Sequence, residues 1–184
     1  MTACRTTVLA AWLLVLSLLG GVAGASEGAA DPAAALRISR VGMGGDMPGF
    51  SLAALDGRPV RSSDLKGKVV VLNFWATWCG PCKEEMPALD RLRKRFGHQD
   101  VAVLTVTTDQ QRDGIAGFLK HLQLSLPVLL DESREVSDAF LVRGLPTTFV
   151  IGKDGKMVGR AVGPRAWDGQ DAVALIQALR DTDK

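Results

Sequence analysis

Cys79 and Cys82, in Trp78-Cys79-Gly80-Pro81-Cys82, are the residues of this chain best placed by type and spacing to do chemistry. An apolar, β-branched run, Val69-Val70-Val71-Leu72-Asn73-Phe74-Trp75, precedes them and reads as a strand buried on both faces. After them, Met86, Leu89, Leu92 and Phe96 mark one face of a helix that runs out at Gly97. Pro81 suits the first helical turn, where its missing N–H costs nothing, so Cys79 sits just ahead of unpaired N–H groups. A thiolate is favoured there. Free thiols ionise near pH ~8.5, whereas cysteines of Cys-X-X-Cys motifs at helix starts fall to roughly 3.5 to 7.5. Cys79 is therefore expected to be the nucleophile, and Cys82, one turn inside, the less accessible resolving thiol.

Other uses of the pair fit less well. Structural zinc needs four ligands, and outside the pair the chain offers only Cys4, His98 and His121, none forming a second ligand pair. A purely structural disulfide three residues apart closes too short a loop to remove much unfolded-state entropy. Glu85 follows Cys82 by three residues and shares its side of the helix, spacing that suits a proton relay to the Cys82 thiol. The competing reading is a carboxylate that only complements the helix dipole, as is expected for Glu84.

Asn73-Phe74-Trp75-Ala76-Thr77-Trp78-Cys79-Gly80-Pro81-Cys82 resembles the active-site segment of thioredoxin-like proteins, and Gly144-Leu145-Pro146-Thr147-Thr148-Phe149 resembles their cis-proline loop. The likeness runs from about Gly45 to Arg180 and is greatest to the exported reductases of the TlpA and ResA group, which includes cytochrome c maturation proteins. It implies an α/β thioredoxin-like fold: a central mixed sheet with helices on both faces, an N-terminal β-hairpin extension and a central insertion. It also implies that Pro146 lies against Cys79, and that the Leu145 backbone pairs with an extended substrate segment. Trp78, Gly80, Pro81, Leu145, Pro146 and Thr147 are the expected substrate-binding residues. Plain thioredoxins carry a buried aspartate where Asn73 stands; an amide cannot shuttle protons, which moves that duty toward Glu85, and the ResA-like group carries a glutamate at the matching helix position.

The elements that must position these residues follow in order. Arg5, the apolar run Val8 to Leu19 and the small residues Ala23-Gly24-Ala25 predict a signal peptide over 1–25. An uncleaved membrane anchor competes with it, because Val8 to Ala25 makes 18 uncharged residues. Residues 26–44, Ala-rich with little pattern, predict a tether, and the domain is expected over 45–184. Phe50, Leu52, Leu55, Asp56-Gly57 and Val60 predict a hairpin. Val101 to Val106 and Leu126 to Leu130 predict strands. Ile115, Phe118, Leu119 and Leu122 predict one helix, and Val136, Ala139 and Phe140 the buried face of another capped by Asp131. Strands around Lys153-Asp154-Gly155 and a helix with Ala172, Leu175, Ile176 and Leu179 close the fold. Trp75 is expected in the core, Trp78 at an apolar rim, and Trp167 in a packing contact.

The 184 residues accommodate one domain plus a leader, and a net charge of +2 with mixed signs argues against an extended nucleic-acid surface. The expected function is an exported thiol-disulfide reductase acting on oxidised protein substrates, such as apocytochrome c or copper-centre assembly proteins. A membrane thiol donor would recharge it, since cytosolic reductants do not reach that compartment. No cofactor and no metal is expected. Gly80-Pro81 resembles reducing thioredoxins, whose potentials near ~−270 mV contrast with ~−120 mV for a strong oxidase. An oxidase or isomerase is the first alternative. Peroxiredoxins resemble the fold but place Pro and Thr where this chain has Leu72 and Ala76. Copper chaperones of this fold, the non-enzymatic alternative, use a three-residue gap between cysteines.

Overall fold

A computed structural model describes residues 31–40, 42 and 44–182. The strand β3 (Val69–Trp75) is buried at every position, as its unbroken apolar run requires. It pairs in parallel with β4 (Val101–Thr107) and antiparallel with β6 (Thr147–Ile151). The short β5 (Val128–Leu130) extends the sheet parallel to β4, and β7 (Met157–Val162) extends it antiparallel to β6. The hairpin β1 (Ser51–Ala54) and β2 (Pro59–Arg61) turns at Asp56-Gly57, where Gly57 takes a φ of +85°. Among the described residues, the sheet order is β2-β1-β5-β4-β3-β6-β7. The N-terminal hairpin and the inserted strand thus meet, with Ala53 opposite Leu130.

Side chains alternate across β3 and feed two cores. Val69, Val71 and Trp75 face the larger one, with Met86 and Leu89 of α2 (Gly80–Phe96), Ile115 of α3 (Arg112–His121) and Ile176 of α5 (Gln170–Asp181). Val70, Leu72 and Phe74 face the smaller one, closed by Leu65 of a 3₁₀ turn and by Val136 and Phe140. Helix α2 ends as its sequence predicts, at Gly97 with φ +68°, and Arg93, Lys94 and Arg95 complement the dipole of its last turn.

Three expectations are corrected. The tether assigned to 26–44 is folded over its described residues: Asp31 caps α1 (Pro32–Ala35), and Ala33, Leu36 and Ile38 are buried in the larger core. Ser39 exchanges two backbone hydrogen bonds with Arg160 on the edge strand β7. A few apolar residues without periodicity carry no helical signal, yet they suffice to seal a sheet edge. In α4 (Glu135–Ala139) the buried partner of Val136 is Ser137, not Ala139, because the buried Asp131 carboxylate accepts from Ser137. Leu122 falls just past the end of α3 and is exposed, leaving Ile115 as that helix's fully buried residue. The leader or anchor expected over 1–25 lies outside the described residues. Among the described residues, no helix is long and apolar enough to cross a membrane.

Gly159 records how closely the N-terminal segment packs. A Cβ there would collide with the Ile38 side chain and lie 3.1 Å from the Ser39 carbonyl oxygen. Gly159→Ala is expected to destabilise the domain by about 1–3 kcal/mol, the usual range for overpacking, and to expose Arg37 and Arg40 to trypsin under native conditions. Unchanged stability and unchanged trypsin resistance would show that the segment is not docked.

Candidate active site

At the C-terminal end of the central strand β3, Ala76 and Thr77 leave the sheet, and the Thr77 N–H donates to Asp109 Oδ2 at 2.6 Å. Asp109 follows the end of β4, so the parallel neighbour braces the loop that presents the dithiol. Cys79 is the N-cap of α2, with Gly80 and Pro81 opening the helix, and the Cys82 N–H lies 3.3 Å from Cys79 Sγ. Cys79 and Cys82 are joined by a disulfide, their Cα atoms 5.3 Å apart. Their exposures differ in the expected sense: 6% for Cys79 and 0% for Cys82.

A cleft of about 250 Å³ opens beside Cys79 and is lined by Trp78, Ser137, Val142, Leu145 and two arginines, Arg134 and Arg143. Trp78 is 73% exposed, while Trp75 is buried at 1%. The Leu145–Pro146 peptide is cis. Pro146 is buried, and its carbonyl accepts from the Gly163 N–H at 2.8 Å; the Thr147 hydroxyl donates to the Gly144 carbonyl at 2.7 Å. The Leu145 N–H and C=O make no backbone hydrogen bond among the described residues. Of the expected substrate-binding residues, Trp78 and Leu145 line the cleft with Cys79. Gly80 and Pro81 are exposed at the helix start, and Pro146 and Thr147 are buried and do not line the cleft.

Glu85 is 3% exposed, one turn along α2 from Cys82, on the side facing β3. Its Oε1 accepts from Asn73 Nδ2 at 2.7 Å, and its Oε2 accepts from the Arg165 backbone N–H at 3.0 Å and from Trp167 Nε1 at 3.1 Å. Burial pushes the Glu85 carboxyl up to about 7, and the three donors hold it from rising further. Asn73 also donates to the Thr148 hydroxyl at 2.9 Å, tying the carboxylate to β6. Arg165 donates from Nε to the Leu36 carbonyl at 2.6 Å, so the N-terminal segment braces the same loop.

Sequence reasoning missed several of these residues. Trp167, expected only to pack, is fully buried and spends its indole N–H on Glu85. Arg165 carried no signal, and Thr148, marked only as part of the cis-proline motif, had none for its contact with Asn73, because they reach the site across 80 and 75 residues of chain respectively. Asn73 stood out as a departure from the thioredoxin pattern, and the structure shows it as a donor to the carboxylate. Arg134 and Arg143 had no motif to mark them.

A disulfide at a helix start, with one sulfur at a cleft and a buried carboxyl behind the other, can carry out thiol-disulfide exchange. Comparisons with known proteins agree. The AhpC/TSA family model matches residues 43–160. The chain is 44% identical over 115 residues to the thiol-disulfide oxidoreductase ResA of Bacillus subtilis, an alignment covering 62% of this chain and 64% of that relative, just under two thirds of its length. A structure from Chlorobium tepidum, described as thiol:disulfide interchange protein DsbE, aligns with a TM-score of 0.68 at 30% identity over 75% of this chain and 97% of that one. The exposed lipoprotein thioredoxin Etrx1 of Streptococcus pneumoniae aligns with a TM-score of 0.61 at 35% identity, covering 73% and 100%. Since the family match spans well over half the chain and takes in the dithiol, Glu85 and the cis-proline loop, the chain belongs to the AhpC/TSA family, with thiol-disulfide oxidoreductases of the ResA kind among its relatives.

Proposed function

We propose that this chain is an exported protein-disulfide reductase that uses Cys79 as nucleophile and Cys82 as resolving thiol. The observation that carries the reading is the asymmetry of the pair, one sulfur at the mouth of a cleft and the other fully buried. In the reduced protein, the Cys79 thiolate attacks one sulfur of a substrate disulfide, forming a mixed disulfide and releasing the first substrate thiolate. The Cys82 thiol then loses its proton, and its sulfur attacks Cys79 Sγ, re-forming the Cys79–Cys82 disulfide and releasing the second substrate thiolate. Two electrons pass to the substrate, and each released thiolate takes up one proton. The open backbone of Leu145 suits pairing with an extended substrate segment, and exposed Trp78 offers it an apolar rim.

Glu85 is the base assigned to the Cys82 proton. A carboxyl poised near neutrality is matched to that task, and Asn73, Trp167 and the Arg165 N–H orient it. The leader-like segment over 1–25, cleaved or retained as an anchor, supports export. Export in turn requires a membrane thiol donor to return the two electrons to the dithiol. Oxidised proteins such as apocytochrome c or copper-centre assembly partners are the substrates this reading assigns. Leu72 and Ala76 stand where the peroxiredoxin pattern places Pro and Thr, which argues against peroxidase chemistry.

The direction of electron flow is tested by the equilibrium potential of the Cys79/Cys82 pair, measured in graded thiol buffers with alkylation trapping. A value below roughly −220 mV is expected, and one above about −180 mV would make the protein an oxidase or isomerase. Glu85→Gln is expected to slow release of the mixed disulfide by roughly 10²-fold near neutrality and to abolish the rise in rate as pH passes about 7. An unchanged rate–pH profile in stopped-flow assays would remove Glu85 from the mechanism.

Linkage supplies an independent check on the carboxyl. Because Glu85 binds its proton more tightly in the folded protein, the stabilisation is full below its unfolded value and is lost as pH rises toward about 7. Relative to Glu85→Gln, the oxidised wild-type protein should lose about 3 kcal/mol of stability between about pH 4.5 and 7.5 in urea titrations. Parallel stability–pH curves for the two proteins would contradict it.

A further inference from the structure

The cleft at Cys79 carries a charge that disulfide exchange does not require. Arg134 and Arg143 both line it, both are exposed, and among the described residues no carboxylate lines it with them. Neither arginine forms an ion pair among the described residues, although Arg58, Arg91 and Arg112 elsewhere on the surface each engage a carboxylate. The acidic residues of the neighbouring segments have other partners or do not line the cleft. Glu132 pairs with Arg112, Asp131 is consumed by α4, Asp109 holds the Thr77 N–H, and Glu135 and Asp138 do not line the cleft.

The backbone holds this arrangement firmly. Fully buried Asp131 accepts from the Val136 N–H at 3.2 Å, the Ser137 N–H at 2.7 Å and the Ser137 hydroxyl at 2.6 Å, while its own N–H donates to the Thr107 carbonyl at the end of β4. With the start of α4 fixed in this way, Arg134 turns through a left-handed conformation, φ +65°, and Leu141 beyond the helix does the same at φ +53°. Non-glycine residues keep such conformations, at about 1–3 kcal/mol each, only where their surroundings over-determine them. At about 250 Å³ the cleft is smaller than the roughly 300–1,000 Å³ of small-molecule sites. It suits a few side chains of a larger partner lying across Trp78 and Leu145.

We propose that Arg134 and Arg143 select the substrate: the disulfides this protein reduces lie in polypeptide segments carrying Asp or Glu beside the attacked cysteine. This rests on the reductase reading above and adds the chemical class of partner. A carboxylate on the segment meets the two unpaired guanidinium groups while its cysteine sulfur meets Cys79, and two electrons pass from the dithiol to that disulfide as already written. Exposed charges of this kind act mainly on encounter and orientation, so the effect is on kcat/KM and is screened by salt.

The test uses the protein reduced with dithiothreitol and desalted, and three peptide disulfides of identical spacing flanked by acidic, basic or serine residues. At low ionic strength the acidic peptide is expected to react about tenfold faster than the basic one, a ratio that two exposed ion pairs can supply. The ratio should fall toward one at about 1 M salt, where the screening length is ~3 Å. Arg134→Glu combined with Arg143→Glu should invert it, and because the ratio is taken within each protein, partial loss of folded material does not alter it. Equal rates with acidic and basic peptides in the wild-type protein, or a ratio that survives charge reversal, would overturn the assignment while leaving the reductase reading intact. Failure to reduce even the serine-flanked peptide would overturn both.

Discussion

A carboxylate with 3% exposure cannot be left without donors, and much of the architecture around the dithiol meets that requirement at Glu85. Asn73 comes from the central strand that leads into α2, and Arg165 and Trp167 from the loop between β7 and α5, a distant stretch of chain with no local reason to meet them. Thr148 extends the network to β6 through Asn73, and the Arg165 side chain extends it to the Leu36 carbonyl of the N-terminal segment. Asn73 is the single donor to Oε1, whereas Oε2 has two, so loss of Asn73 would leave a buried oxygen unpaired, and the network holds α2, and with it Cys82, in register with the sheet.

The strand β3 makes this economical. Its alternation sends Val70, Leu72 and Phe74 to one core and Val69, Val71 and Trp75 to the other, and Asn73 is the one polar side chain it sends to the α2 face. Its C-terminal end is also where the chain leaves the sheet to form the dithiol turn, the position at which parallel strands of α/β proteins commonly present their reactive groups. Chemistry and support are thus built on one rigid element, with the exposed part of the site supplied by the α4 region and the loop at Leu145.

Much of the fold was legible because its signals are local. The uninterrupted apolar run of β3, the stop at Gly97, the Asp-Gly turn of the hairpin and the Cys-Gly-Pro-Cys start of α2 each act within one or two turns of chain. Where local signals were weak, the reading failed. Leu36 and Ile38 lie in an Ala-rich stretch without period, and only the exposed edge of β7 explains their burial. Ser137 displaced Ala139 in α4 because Asp131, six residues earlier, needed a hydroxyl, and polar demand overrode apolar pattern. Trp167 looked like one more packing aromatic until its indole N–H was found on Glu85.

By itself, then, the sequence determined what can react and on what scaffold: a dithiol at a helix start, a carboxyl one turn on, and the strand that carries them, all written in contiguous residues whose spacing sets their geometry. Only the tertiary structure decided the environment of that carboxyl and the charge of the cleft. Burial, hydrogen-bond partners and unpaired charges are properties of which distant segments meet. Arg165 and Trp167 lie 80 and 82 residues from Glu85, and no periodicity along the chain records that they will share its oxygen.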